Sequence, residues 1–343
     1  MLKKYIFLFA LLSIKTASAE VLFAGGELED FIRPATSYTT TNTINHDQSY
    51  SRVAFTSDHT GTHKTPHFKP STDFWLTVYM RCEGTGSSSY DFLSFYDSDS
   101  VRRLIIDINS SGRFNLKTRN AAGTETTLTT QTEPKPFNSL RRYDIHINYA
   151  AAGVFSLYTD GVLVAEYTGD ITTDGEATLS QIGFGYLHSH NNYETWYSQI
   201  IVADTDTRKM HLATIEPTAN GDTMDWSGLV SDINEISISD STVITSGVAD
   251  ELALFTIPAL PAGDYTVQAV VQSVKIAKGA TGPQNFEYAV RTGAANYTAT
   301  GGTLDIGYGK FQKMWANNPA TAASWTTTEI EDAGFNLGIK SKN

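Results

Sequence analysis

In this 343-residue chain Glu27/Glu29, Asp97/Asp99, Asp204/Asp206 and Glu329/Glu331 are pairs of acids that stand two residues apart. On a strand that spacing puts both carboxylates on one face, where one can attack a glycosidic carbon while the other moves the proton. None of the pairs has a third acid in step with it. Each falls at a strand end, a turn or a capped helical turn, which suits solvated or capping carboxylates and predicts a protein that is not an enzyme. Gly-x-Ser-x-Gly, a phosphate-binding Gly-rich loop with Lys, and Cys-x-x-Cys are missing. His59, His63 and His67 are spaced four apart, but Gly61 and Pro66 forbid the helix that would align them. His188 and His190 flank one serine, and the plainer account of them is a polar loop. Asp97 and Asp99 are hard oxygen donors of the kind calcium takes, so they are the candidate metal ligands, and no other cofactor is expected.

The stretch 186–197, YLHSHNNYETWY, is the candidate binding surface. Tyr186, Tyr193 and Trp196 offer aromatic faces to the C–H side of a sugar. His188, His190, Asn191 and Asn192 offer hydrogen bonds to its hydroxyls. The competing account has Tyr186 and Trp196 ending strands and packing inward.

Strands carry these residues. Tyr143, Ile145, Ile147 and Tyr149 alternate with Asp144, His146 and Asn148, the period of a half-buried strand. Runs at 154–159 and 162–167 meet across Asp160-Gly161, the pair a type I′ hairpin turn prefers. Phe74, Leu76, Val78, Met80 and Cys82 share one face of another strand, which makes the single cysteine a small core residue. Further strands are read at 52–56, 90–96, 104–109, 113–117, 124–130, 181–187 and 196–203. The one helical turn is near the end, where Thr326 and Glu329 have the spacing of a capping box. Short strands with turn signals between them predict an antiparallel sandwich or jelly roll.

The hairpin with its Tyr158-Thr159-Asp160-Gly161 turn resembles the signature of laminin-G-like domains of the concanavalin A-like superfamily, over roughly residues 50–205. The resemblance implies a jelly-roll sandwich of the lectin class and, with it, glycan binding. The stretches 260–273, 279–293 and 318–341 resemble modules at the ends of tailed-phage virion proteins. They imply a virion-associated or surface structural protein, with other virion proteins or copies of itself as partners. The alternative is a cell-encoded secreted lectin or adhesin; a polysaccharide hydrolase or lyase comes third.

Composition bounds the rest. Lys3 and Lys4, the apolar run 5–12 and Ala17-Ser18-Ala19 read as a secretory signal, too short to span a bilayer. Its loss would leave 343 − 19 = 324 residues and move the formal charge from −12 to −15, because it holds three lysines and no acid. An acidic chain without a basic stripe is not built for nucleic acid or an anionic membrane. The expected order is a signal at 1–19, an N-terminal extension at 20–49, the laminin-G-like domain at 50–212, a linker at 213–228 and a smaller β-sandwich at 229–343. The protein is expected to be secreted, or on a virion if phage-encoded, and to bind glycans or another host-surface polymer.

Overall fold

The computed structural model describes residues 3–13, 20–32, 40–41, 54–57, 62–83, 90–134, 138–185, 194–235 and 240–343. The chain is all-β, as its alternation predicts. It divides into two units, one of residues 19–209 and one that joins residues 1–18 to 210–343.

Lys3–Ser13 (β1), the stretch read as a leader, belongs to the second of these units and is taken up there. The first unit contains Val21–Gly25 (β2), Thr40–Thr41 (β3), Ala54–Ser57 (β4), His63–Lys64 (β5), Asp73–Glu83 (β6), Tyr90–Tyr96 (β7), Arg102–Ile108 (β8) and Phe114–Arg119 (β9). It continues through Glu125–Thr130 (β10), Arg141–Asn148 (β11), Gly153–Thr159 (β12), Val162–Gly169 (β13), Gln181–Phe184 (β14) and Glu194–Ala203 (β15). One sheet runs β13-β12-β11-β6-β15-β4-β3, with β2 also paired to β15; the other runs β10-β9-β8-β7-β14-β5. Every pairing between these strands is antiparallel.

The alternating apolar residues of β6 and β11 meet those of β7, β8, β9 and β14 between the two sheets. Rings bridge the layers: Phe92 lies 6.0 Å from Tyr143 and Phe95 6.0 Å from Phe155, edge to face, the geometry that ring quadrupoles favour. Cys82 is buried in this core and receives the Tyr90 hydroxyl at 3.4 Å. The Asp160-Gly161 turn has positive φ at both residues, +49° and +79°, as a type I′ turn requires.

Two boundaries differ from the sequence reading. Residues 20–32 are no extension, because β2 pairs with β15 and Phe23, Leu28 and Phe31 enter the core. The division at 209/210 falls ahead of the expected linker, whose residues form His211–Ile215 (β16) and Ala219–Met224 (β17). Neither segment shows sustained apolar–polar alternation, so their strands are fixed by pairing.

The second unit adds Leu252–Thr256 (β18), Thr266–Ala277 (β19), Asn285–Thr292 (β20), Ala295–Thr303 (β21), Gly309–Trp315 (β22), the helical turn Thr327–Ile330 (α1) and Asn336–Lys342 (β23). Its sheets run β16-β1-β19-β22 and β17-β18-β23-β20-β21. Phe286 of β20 packs edge-on against Phe311 of β22, joining the two sheets at 5.1 Å. The backbone of β1 pairs with β19 on one side and β16 on the other. The capping box forms as read: Glu329 N–H donates to Thr326 Oγ1 and Thr326 N–H to Glu329 Oε2.

Candidate functional site

The face of the six-stranded sheet turned away from the core carries the densest set of polar groups among the described residues. Pleating sends Phe114 and Leu116 of β9 inward, so Asn115, Lys117 and Arg119 point outward. In β8 Leu104, Ile106 and Ile108 go in and Asp107 goes out, an acid in an otherwise apolar strand. Register then lines up rows across the strands. Asp91, Asp107, Asn115 and Thr130 form one; Lys64, Gly183, Ser94, Ile105 and Lys117 form the next; Gln181, Tyr96 and Arg102 form the third.

Long side chains tie the rows together. Arg102 reaches across the middle row, with Nη1 on Asp91 Oδ2 and Nη2 on Glu125 Oε1 at 3.1 Å. Lys117 Nζ meets Asp107 Oδ2 at 2.5 Å and Glu125 Oε2 at 3.3 Å. Asn115 Nδ2 donates to Asp107 Oδ1 at 2.6 Å, and Thr130 Oγ1 donates to Asn115 Oδ1 at 2.8 Å. Burial pushes the Asp107 carboxyl above its ordinary value, against the pull of Lys117. Burial alone would lower Lys117, but its bond to Asp107 and the charge of that carboxylate raise it.

At the other end Lys64 Nζ sits 3.8 Å from the centre of the Tyr96 ring. Burial lowers the Lys64 ammonium from its usual value and the Arg102 charge lowers it further; burial raises the Tyr96 phenol. Gly183 lets this corner close. A Cβ there would lie 2.6 Å from Thr62 Cγ2 and 3.0 Å from the Tyr96 ring, so any side chain would displace the ring.

Of the sequence-predicted binding residues, Tyr186, His188, His190, Asn191, Asn192 and Tyr193 lie outside the described residues. Trp196 lies in β15, in register with Arg81; it is 7% exposed, yet it alternates with Tyr197, the residue of the two that enters the core, and so lies on the other face of the sheet. Gly185, the last described residue before Tyr186, donates its N–H to Phe92 O.

Asp97, one of the two candidate metal ligands, is engaged within the fold. Asp97 Oδ1 accepts the N–H groups of Asp99 and Val101, and Oδ2 accepts Arg103 Nε at 2.7 Å, so both oxygens are committed to a turn and an ion pair. Among the described residues no three His, Cys, Asp or Glu side chains group as metal ligands. His63 is buried in β5, and His67 bonds Ser180 and Ser100, so these two serve the fold. The other acid pairs act locally: Asp206 holds Arg208, and Glu329 caps α1. Glu27 is 3% exposed beside a 3-10 turn rather than solvated.

No known family's sequence pattern matches this chain, and no curated protein matches it in sequence. Among solved structures it is similar to an endo-β-1,4-glucuronan lyase from the fungus Trichoderma reesei, 14% identical with a TM-score of 0.42, covering 55% of this chain and 97% of that one. It is similar too to domain 4 of an extracellular GH43 arabinanase from Geobacillus stearothermophilus in complex with arabinotriose, at 11%, 0.36, 54% and 93%. A third is the carbohydrate-binding module CBM66 from Bacillus subtilis, at 13%, 0.32, 48% and 94%. All three are carbohydrate-binding or carbohydrate-active by name, and no residue of this chain takes a role from them.

Proposed function

We propose that the unit of residues 19–209 binds glycans on the outer face of its six-stranded sheet, and binds them without cleaving them. The supporting observation is the lattice of Arg102, Lys117, Asn115, Asp91, Asp107 and Glu125. It presents fixed donors and acceptors over several strands, a match for a chain of hydroxyls that both donate and accept. Because the groups already hold one another, little side-chain freedom is left to lose on binding. The carboxylates are all tied to cations, which suits holding a ligand better than protonating one.

Binding of a panel of immobilised glycans by the purified chain tests this reading. At least one polysaccharide class should be retained, and retention should fall when the polar face is altered. If no glycan is retained, the reading is wrong. One observation favours polysaccharide cleavage instead: Asp91 and Asp107 are direct cross-strand neighbours, and burial pushes Asp107 upward, as in a pair that divides acid and nucleophile roles. New reducing ends or unsaturated products from the same panel would decide for that rival.

The setting we propose is outside the cell, on a virion or a cell surface, with a host-surface polymer as ligand. The support is the leader-like start and the virion-like wording of the C-terminal block. Export predicts a mature chain beginning at Glu20 by intact mass, which would remove β1. A mass that still includes Met1 in exported protein would refute cleavage. Copurification with assembled particles separates the virion version from a free lectin.

A further inference from the structure

We propose that the glycan held on this face carries anionic groups, uronate carboxylate or sulfate ester, and that Lys64 is the residue that selects for them. The inference rests on the glycan-binding reading and adds the ligand's chemical class.

Four cations stand on the face, Lys64, Arg102, Lys117 and Arg119, against three carboxylates, Asp91, Asp107 and Glu125. Arg102, Lys117 and Arg119 each lie within 4 Å of at least one of those acids. Lys64 does not. Among the described residues its neighbours are the Tyr96 ring and the Arg102 charge, and no carboxylate acts on it. This happens in a chain with 37 acidic residues against 25 Lys and Arg, where a carboxylate for every buried cation is easily supplied. A half-buried ammonium facing a second cation works against the stability of its own fold, and such arrangements gather at functional sites.

The position is held from both sides. Lys64 and Ile32 exchange backbone hydrogen bonds at 2.7 and 2.9 Å, and Gly183 pairs with Lys64 on the other flank. The side chain therefore cannot drift to a distant acid without breaking β5. With its ammonium against the Tyr96 ring, Lys64 still has N–H donors to give a ligand on the sheet. An anionic sugar there would complete the charge balance of the face and relieve the repulsion from Arg102. A neutral sugar would have to desolvate the ammonium with nothing to neutralise it.

Calorimetric titration of the full chain with three oligosaccharides of matched length tests this: a glucose oligomer, a galacturonate oligomer and a sulfated galactose oligomer. At low salt an acidic oligomer should bind roughly tenfold or more tightly than the glucose oligomer, the size of one charge-assisted hydrogen bond. Lys64→Gln should erase that preference, and Lys64→Arg should keep it. A preference for the carboxylate or for the sulfate names the source of the anion and supports the proposal either way. Equal binding of all three by the native chain, or a preference that survives Lys64→Gln, overturns the inference and leaves glycan binding standing. Binding of none overturns both.

Discussion

Replacing Arg102 with leucine should weaken glycan binding by about a hundredfold, the largest loss expected from any single change on the polar face. The side chain is 8% exposed and is the link between the two ends of the lattice. Its guanidinium holds Asp91 on one edge and Glu125 on the other. Truncating one partner of a buried, hydrogen-bonded charge pair costs about 2–5 kcal/mol, much of it from the charges left behind. Asp91 would then face Asp107 across the strand pair, with only Lys117 and Arg119 in contact with the three carboxylates. Arg102→Lys should recover part of the affinity, since one point charge reaches one of the two acids but cannot bridge both. Titration of native and variant chains with whichever polysaccharide is retained measures the difference. An affinity unchanged within about twofold in Arg102→Leu would remove this face from the binding account. Far-ultraviolet circular dichroism checks that the sheet survives.

The architecture was legible because its strands are amphipathic one at a time. Tyr143, Ile145 and Ile147 alternate with polar neighbours, Asp160-Gly161 has the chemistry a tight right-twisted hairpin prefers, and Thr326 and Glu329 cap a turn by spacing alone. Each of those signals lies within a few residues. The polar face lies across six strands, from Lys64 to Glu125, and its rows exist only once register is fixed. In the sequence Asp91, Arg102, Asp107, Lys117 and Glu125 are charges five to eleven residues apart, with nothing to say that they share a side. A faint signal was present in the Asn115-x-Lys117-x-Arg119 alternation and in the acid inside the apolar run 104–108. Both mark an outward face that is polar by design rather than merely wet. The close pairs drew attention instead, and Asp97/Asp99 shows why that misled. Asp97 is needed by a turn and by Arg103, and sequence spacing does not separate a carboxylate that builds a turn from one that waits for a metal. The strands at 21–25 and 211–224 were passed over because neither a short unbroken apolar run nor a polar stretch shows the alternation that marks a strand by itself; pairing with β15, β1 and β18 fixes them.

The largest effect on stability is expected on the opposite sheet, where Arg142→Leu should destabilise the first unit by about 3–5 kcal/mol at neutral pH, the cost of leaving a buried charge without its partner. Asp144 is 0% exposed. Arg142 Nε approaches both of its oxygens at 3.0 and 3.1 Å, and Thr77 Oγ1 donates to Oδ1 at 2.5 Å. The same guanidinium donates to Thr207 O, and Thr77 shares a hydrogen bond with Thr207 Oγ1 at 2.7 Å, so the cluster holds the segment that follows β15 against the sheet. One residue on, Arg208 lies over the rings of Trp75 and Tyr158 at 4.9 and 4.7 Å and fastens the same segment. Urea unfolding followed by the fluorescence of Trp75 beside the cluster measures the loss. The deficit should depend on pH with a definite sign. Burial raises the Asp144 carboxyl above 3.8, against the pull of Arg142, so the folded chain holds this proton to higher pH than the unfolded chain does. Its contribution to stability therefore falls as pH rises above 3.8. Without Arg142 the carboxyl rises further and the window widens, so lowering the pH should bring the variant back toward the native chain. A double replacement, Arg142→Met with Asp144→Leu, leaves no charge buried and should recover most of the loss even at neutral pH. A single-variant deficit that is flat from pH 4 to pH 8 would mean that lost packing of the arginine stem, and not the stranded carboxylate, sets the cost.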